Sequence, residues 1–186
     1  MVFDIFTLVE GLWILLPAYA ANGFAPLAKY RSRLHPIDGG RLFRGKPLFG
    51  QGKSWEGLLI GVAIAIVISL IQQTAFPFLP WSLSDELHGV TLNIVPMTAL
   101  LGGLLGLGSM LGDLGASFIK RRLGMRRGRS FPFLDQNDFL VGALLLASLL
   151  VAVQISWVIL YLILTPLFHF IASFLGYKMG VKNEPY

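Results

Sequence analysis

Four long runs without a charged residue constrain the fold of this chain most strongly. They comprise residues 11–28, 57–84, 87–112 and 139–177. Each run is long enough to supply the roughly 20 apolar residues that a membrane-spanning helix needs. The last run would make a helix of about 58 Å, nearly twice the thickness of a ~30 Å hydrocarbon core, so we divide it near 154–157. With 55% hydrophobic and 13% charged residues, the chain is far more apolar than soluble domains and is expected in a membrane.

These runs predict an all-α integral membrane protein with five transmembrane helices in a single polytopic domain, 1–186. The predicted spans are 5–25, 57–77, 92–118, 137–154 and 157–176. The first span has no basic segment before it and carries Asp4 and Glu10, so we interpret it as a retained helix and not as a signal peptide. Glu10 is expected to reach the outer interface, with an intramembrane role as the alternative, and Trp157 is predicted to anchor a span at an interface.

The distribution of basic residues predicts the orientation of the spans. Of the fifteen Lys and Arg residues, seven lie within 29–53, six within 120–129 and two within 178–182. The positive-inside rule then places two basic loops and the C-terminus in the cytoplasm, with the N-terminus and the acidic connection 82–89 outside. A four-span chain would place the C-terminus outside. This arrangement, together with anionic lipid, accounts for the net charge of +5 without a nucleic-acid partner.

One stripe of the third span carries the first candidate site. Asp113, Ser117, Lys120 and Arg121 stand at i, i+4, i+7 and i+8, so a continuous helix places them along one face. A lone carboxylate is costly at membrane depth, which makes Asp113 a candidate functional group. The simpler interpretation is an ion pair between Asp113 and Lys120 or Arg121 at the membrane interface.

Two further carboxylates lie where the fourth span begins. Asp135 and Asp138 are three residues apart and are expected at the same end of the bundle as Asp113. Mg²⁺ prefers oxygen ligands and is usually bound by one or two carboxylates together with substrate phosphates. Three carboxylates beside a basic loop therefore predict a magnesium site that handles phosphates. The simpler alternative is that Asp135 or Asn137 caps the N-terminus of the helix.

The first basic loop is rich in glycine. The segment HPIDGGRLFRGKPLFGQGKSWEG, 35–57, combines six glycines with four cations, a composition that suits close approach of the backbone to phosphate. The alternative is a flexible basic loop lying on anionic lipid. The letters GQGKS lack the full spacing of a P-loop and stand between membrane helices, so an ATPase site is excluded.

The same segments resemble a known enzyme family. GDLGASFIKRRLG at 112–124, followed by Gly128, Pro132 and DQNDF at 135–139, is similar to the signature of the CTP-transferase family of CDP-diacylglycerol synthases. The smaller archaeal branch, the CDP-archaeol synthases, also has patterns similar to LPAYAANGFAP at 16–26 and to the glycine-rich loop at 36–57. The resemblance therefore covers most of the chain.

The resemblance implies a reaction and a set of site residues. The reaction is transfer of CMP from CTP to an unsaturated archaetidic acid, digeranylgeranylglyceryl phosphate, with Mg²⁺ and release of pyrophosphate at the cytoplasmic face of the cell membrane. The implied catalytic residues are Asp113, Lys120, Asp135 and Asp138, of which the three aspartates would hold one or two metal ions. The implied nucleotide and phosphate contacts are Asp38, Lys53, Ser54, Ser117, Lys120 and Arg121. Because the lipid phosphate is already an anionic nucleophile, the absence of a catalytic histidine motif is expected.

Two other functions remain as alternatives at this point. A CDP-alcohol phosphotransferase would also gather carboxylates in a membrane, but DGG at 38–40 is not followed by the alanine–arginine pair of that pattern. A small transporter or channel would have polar groups through its spans or an inverted repeat, and neither is evident. The oligomeric state is left open, because small-xxx-small glycine patterns in the third span suit packing within one chain as well as between two.

Overall fold

The computed structural model describes residues 4–30, 33–79, 84–85, 90–125, 129, 131 and 133–178. Five long helices form the fold, and two short antiparallel hairpins lie between them. The helices are α1 Ile5–Phe24, α2 Trp55–Ala75, α3 Ala99–Arg122, α4 Leu134–Ala147 and α5 Ile155–Lys178. The strands are β1 Leu42–Phe43, β2 Lys46–Pro47, β3 Ser84–Asp85 and β4 Val90–Thr91. Short 3-10 helices follow α1 and α2, at Ala25–Tyr30 and Phe76–Phe78.

The described residues confirm a mostly helical fold, with two short hairpins that an all-α fold did not predict, and not every helix has the predicted extent. Within the described residues, three helical segments are long and apolar enough to cross a membrane: Ile5–Tyr30, Trp55–Phe78 and Ala99–Arg122. The break predicted near 154–157 lies at 148–154, where turns end α4. The prediction of a span over 137–154 is wrong in length, because α4 has 14 residues, about 21 Å of helix against a ~30 Å hydrocarbon core. The acidic connection, 82–89, is described only at 84–85, and Lys182 lies outside the described residues.

The third helix begins seven residues later than predicted, because 92–98 forms no helix, and the backbone is extended at Thr98. Pro96 lies in this segment and disfavours helix in the residue before it, and Thr98 caps α3 by accepting a hydrogen bond from Leu101 N at 3.1 Å. Non-helical backbone inside a helix bundle needs partners other than its own turns. Val95 O accepts from the Trp13 indole at 2.9 Å, which supplies one of them.

Glu10 of α1 contacts the same segment and also accepts from Trp157 of α5. The Glu10 carboxylate accepts from Asn93 N at 2.5 Å and from the Trp157 indole at 3.1 Å. Glu10 is 6% exposed and Trp157 is 1% exposed. Both side chains are therefore buried in the bundle interior, where the carboxylate and the indole satisfy each other, and their location at a membrane interface stays a prediction.

Two glycine faces of α3 allow its close packing against the neighbouring helices. A Cβ at Gly106 would lie 2.6 Å from the Ala65 side chain of α2. A Cβ at Gly108 or Gly112 would lie 2.3 or 2.1 Å from a backbone oxygen of α4. The small-xxx-small patterns of α3 thus serve packing within this chain, and they bring the backbones of α3 and α4 into direct contact.

The first basic loop docks on the end of α3. The β1–β2 turn at Arg44 and Gly45 has positive φ at both positions, 50° and 74°, as a two-residue hairpin turn requires. Arg122 at the end of α3 donates to Lys46 O at 3.2 Å, and Lys46 Nζ donates back to Arg122 O at 3.0 Å. The two predicted basic loops therefore lie at one end of the bundle, although Arg126 and Arg127 of the second loop lie outside the described residues.

Candidate active site

A cavity of about 350 Å³ lies between the end of α1, the first loop, the start of α2 and the middle of α3. Its polar lining combines two cations, a carboxylate, a hydroxyl and two amides: Lys29, Lys53, Asp113, Ser54, Asn22 and Gln51. Asp113 is the only acidic residue in the described lining. The cavity thus brings the sequence-predicted residues of the first loop to the sequence-predicted carboxylate of α3.

An ion pair joins the loop to α3 inside this cavity. Lys53 Nζ lies 2.5 Å from Asp113 Oδ2, and the two side chains are 27% and 30% exposed. The interpretation that Asp113 pairs with Lys120 or Arg121 is wrong, because those cations have other partners. A partner sixty residues away is available only because the loop folds back over α3.

Asp38 organises the loop that carries Lys53. Its carboxylate is 6% exposed and accepts hydrogen bonds from Gly40 N at 3.0 Å, Phe49 N at 3.1 Å and Gly50 N at 2.9 Å. Burial acts to raise the pKa of Asp38, but the three backbone donors outweigh it and hold the pKa below its ordinary value of 3.8. The nucleotide contact predicted for Asp38 stays a prediction, since its oxygens are used to shape the loop.

These hydrogen bonds predict that the stability of the first loop depends on pH and falls when Asp38 is replaced. Because the folded pKa is lowered, the stabilisation is fully present above pH 3.8 and is lost as pH falls through the folded pKa. In Asp38→Asn, one carboxylate oxygen becomes an amide NH2 group, a donor that would face backbone N–H donors, so we expect amide exchange at Phe49 and Gly50 to quicken by about tenfold at pH 7. Hydrogen exchange with mass spectrometry measures this rate.

The matched control for that measurement is Glu56→Gln. Glu56 is a carboxylate near the same loop, but it accepts from His35 and not from the 49–50 amides. Its replacement should leave exchange at 49–50 unchanged. Equal protection in Asp38→Asn and the wild type would contradict the role given to Asp38.

The two serines of the predicted site are buried in different places. Ser54 lines the cavity and caps α2, with Oγ accepting from Gly57 N at 3.2 Å. Ser117 on α3 is 4% exposed and does not line the cavity that holds Lys53 and Asp113. The predicted stripe from Asp113 to Arg121 therefore does not form one continuous surface.

The basic end of α3 is tied to the neighbouring loops. Lys120 Nζ lies 2.6 Å from Asp135 Oδ1, with the two side chains 16% and 26% exposed. Arg121 donates to Phe49 O at 3.4 Å and also to Met125 O. These contacts hold both loops against the end of α3, and the phosphate contacts predicted for Lys120 and Arg121 stay predictions.

Among the described residues, no side chain caps the start of α4. Asp135 accepts from Phe131 N at 3.0 Å, and Asn137 Nδ2 donates to Phe133 O at 3.1 Å, so neither residue caps the first turn. The capping interpretation is therefore wrong. The Asn137 Oδ1 atom is buried and has no hydrogen-bond partner in the described part of the chain.

A second cavity of about 600 Å³ lies on the other side of α3, against α4. Asn137 and Asp138 line it together with apolar side chains and with Gly112 and Gly115 of α3. The backbone of α4 at Asp138 contacts α3 at Gly112, the residue that precedes Asp113. The two cavities therefore adjoin across α3, each with one of the predicted carboxylates in its lining.

The three carboxylates do not form a preassembled metal cage. Among the residues that the structure describes, no group of three His, Asp or Glu side chains could hold a metal ion. A magnesium ion held by one or two carboxylates with substrate phosphates needs no such cage. The unpartnered oxygen of Asn137 beside Asp138 adds a neutral oxygen donor, so the residues present fit a magnesium ion of that kind.

Sequence reasoning missed four polar residues of the two cavities. Asn22, Lys29 and Gln51 line the first cavity, and Asn137 lines the second. Asn22 could have been predicted as a site residue, because it is a polar amide within an uncharged run. Lys29 was considered only as one of the basic residues that set the orientation. Nothing in the sequence distinguishes Gln51 from other loop residues, because its place depends on the fold of the loop.

Comparison with known proteins gives one family over nearly the whole chain. The family model for CarS-like proteins, CDP-archaeol synthase, matches residues 2–186. CDP-archaeol synthases from Halobacterium salinarum and Haloarcula marismortui are 39% and 40% identical to this chain, and each match covers 97% of both chains. The CDP-archaeol synthase from Thermococcus gammatolerans is 39% identical, over 94% of both chains.

A solved structure agrees with the sequence relatives. It is described as an intramembrane enzyme for archaeal membrane lipids biosynthesis, and it superposes with a TM-score of 0.70 at 30% sequence identity. The match covers 88% of this chain and 92% of that chain. The five-helix bundle with its paired cavities, the family model and the full-length relatives together show that this chain belongs to the CDP-archaeol synthase family.

Proposed function

We propose that this protein transfers CMP from CTP to an unsaturated archaetidic acid, digeranylgeranylglyceryl phosphate, and so forms CDP-archaeol and pyrophosphate. The observation that carries the proposal is the pair of cavities on the two sides of α3. One is lined by cations and amides around Asp113, and the other is mainly apolar with Asp138 in its lining. A soluble nucleotide and a membrane lipid need two such unlike surfaces beside one set of charged groups.

The apolar cavity suits the chains of an isoprenoid lipid. Leu111 and Ile119 of α3 are 47% and 46% exposed, and Val141 and Leu145 of α4 are 50% and 67% exposed. In a bilayer these side chains would contact hydrocarbon, so a lipid can enter from the side without crossing water. Its phosphate would then lie toward Asp138 at the mouth of the cavity.

We assign the loop end of the bundle to the cytoplasm and five passes to the chain. The docking of the first loop on the end of α3 supports this assignment, because it gathers the basic residues at one end. The short α4 completes a pass together with the turn at 148–154 that follows it. The active site then lies in the cell membrane at the cytoplasmic face, where CTP is available.

Asp113 and Asp138 are the proposed magnesium ligands, with Asn137 Oδ1 as a third oxygen. A bound Mg²⁺ would neutralise phosphate charge and polarise the α-phosphate of CTP. Asp135 remains a candidate ligand that would first have to leave Lys120. Asp138 lines the lipid cavity and would also bind the metal. It would therefore set the distance between the lipid phosphate and the metal-bound CTP.

The chain itself positions the reacting groups. An oxygen of the lipid phosphate attacks the α-phosphorus of CTP, a phosphorus–oxygen bond forms, and the α–β bridging bond breaks with its electrons going to pyrophosphate. The nucleophile is already an anion, so no side chain has to remove a proton. Lys53, Lys29, Lys120 and Arg121 are proposed to stabilise the triphosphate and the leaving pyrophosphate, and the amides of Asn22 and Gln51 to contact the nucleotide.

The proposal is tested by pyrophosphate release from purified protein in detergent with CTP and Mg²⁺. We expect release that depends on digeranylgeranylglyceryl phosphate, with CDP-archaeol recovered as the lipid product by mass spectrometry. Omission of the lipid or chelation of the metal should each stop release. Lipid-independent release, or no nucleotidyl-lipid under any metal condition, would contradict the proposed reaction.

A further inference from the structure

The Lys53–Asp113 ion pair joins two groups that the proposed reaction uses for different ligands. Lys53 Nζ lies 2.5 Å from Asp113 Oδ2 inside the nucleotide cavity, and both side chains are about seven-tenths buried. Asp113 is proposed to bind metal, and Lys53 is proposed to bind the phosphates of the nucleotide. In this structure each group is instead the counter-ion of the other.

A divalent cation and the Lys53 ammonium cannot share the Asp113 Oδ2 atom. Magnesium binds a carboxylate oxygen at about 2.0–2.1 Å, and the ammonium already lies within hydrogen-bond distance of that oxygen. Like charges that close together repel strongly in a partly buried site. Metal binding at Asp113 Oδ2 therefore requires Nζ to move away, and a metal on the other oxygen of this carboxylate would also lie close to the ammonium.

The backbone of Lys53 is anchored, so the side chain can move alone. Lys53 N donates to Gly50 O at 3.1 Å, and Lys53 O accepts from Ile37 N at 2.9 Å. A lysine has a flexible four-carbon stem, so its ammonium can relocate within the cavity while the loop stays in place. Asp113 is the only acidic residue in the described lining of the cavity. Once displaced from Asp113, the Lys53 ammonium can therefore find a new counter-ion in the cavity only on an anionic ligand.

We infer that Lys53 is an exchangeable counter-ion that couples metal binding to nucleotide binding. Without nucleotide, Lys53 neutralises Asp113 and so weakens its affinity for the metal. A bound triphosphate takes up the Lys53 ammonium and frees Asp113, and by linkage the metal favours the nucleotide to the same degree. The identity of the two ligands rests on the proposed function, whereas the exchange rests on the ion pair.

The first test measures Mn²⁺ binding to the full-length, nucleotide-free protein in detergent by electron paramagnetic resonance. We expect Lys53→Met to bind Mn²⁺ about fivefold more tightly than the wild type, because a partly exposed ion pair is lost. Arg41→Met removes one positive charge from the same loop at an exposed position and should leave the affinity unchanged. Equal or weaker binding by Lys53→Met would overturn the exchange.

The second test uses the wild-type protein and does not depend on how a variant folds. Acetylation of Lys53 by a water-soluble reagent, followed by mass spectrometry, reports how free its ammonium is. We expect Mg²⁺ to increase labelling of Lys53 several-fold relative to Lys46, and Asp113→Asn to show the increased labelling without metal. Labelling of Lys53 that ignores both the metal and the Asp113 substitution would overturn the inference.

These tests separate the inference from the proposed reaction. Loss of Mn²⁺ binding in Asp113→Asn, without tighter binding in Lys53→Met, would overturn only the exchange. Mn²⁺ binding that persists in Asp113→Asn would overturn the role of Asp113 in metal binding and the exchange with it. Formation of the nucleotidyl-lipid is judged by its own assay and does not decide either result.

Discussion

Asp113→Asn is expected to lower lipid-dependent pyrophosphate release by at least about 100-fold, the loss typical of removing a group that stabilises transition-state charge. Asparagine keeps the size of the side chain but removes the negative charge proposed to hold the metal. It also leaves the Lys53 ammonium without its partner in a partly buried cavity. The measurement is initial rate against CTP concentration at saturating Mg²⁺ and lipid, so that binding and turnover are separated.

Asp4→Asn is the matched control for this substitution. Asp4 is also a carboxylate, but it caps α1 by accepting from Thr7 N at 2.7 Å and lines neither cavity. Its replacement removes the same charge and should retain at least half of the wild-type rate. A rate for Asp113→Asn within a few-fold of the wild type would contradict the metal role and return Asp113 to a structural ion pair.

Gly112→Ala is expected to separate α3 from α4, with loss of both stability and activity. The added Cβ would lie 2.1 Å from the backbone oxygen of Asp138, and the backbone of α4 cannot rotate away as a side chain could. Overpacking of this kind typically costs about 1–3 kcal/mol. We expect the melting temperature to fall by about 5 °C and the rate by about tenfold or more, because Asp138 moves with its helix.

Gly115→Ala provides the control for stability. Gly115 lies three residues further along α3, and a Cβ there would meet nothing within 4 Å. Alanine favours helix over glycine by roughly 1 kcal/mol, so this variant should melt at or above the wild-type temperature. Thermal unfolding of both variants in the same detergent decides the matter, and equal melting temperatures would contradict direct backbone contact between α3 and α4.

Most residues of the candidate site could be predicted from the sequence, but the ion-pair partners of its charged side chains could not. Asp113 and Asp138 stood out because carboxylates are rare in apolar helices, and the resemblance of 112–139 to a known family signature drew attention to both. The partner of Asp113 could not be read from spacing, because Lys120 and Arg121 are near in sequence whereas Lys53 is brought close by the folded loop. Spacing along the sequence favours pairs between nearby residues, and it fails where a loop distant in sequence folds back onto the helix.

The amino-acid sequence by itself determined that this chain forms a bundle of apolar helices with thirteen of its fifteen basic residues in two segments, 29–53 and 120–129. The lengths of the uncharged runs and the need to satisfy backbone groups in lipid leave few alternatives to helices. The sequence also determined the glycine faces of α3, whose role in close helix packing follows from residue size alone.

Only the tertiary structure decided which polar groups meet. The burial of Glu10 against Trp157, the non-helical segment at 92–98 and the division of Asp113 and Asp138 between two cavities depend on which helices are neighbours. A buried polar group must find a partner wherever the fold supplies one, and sequence periodicity specifies the face of a helix but not what lies opposite. For that reason the helices could be predicted from local pattern, whereas the pairing of their charges could not.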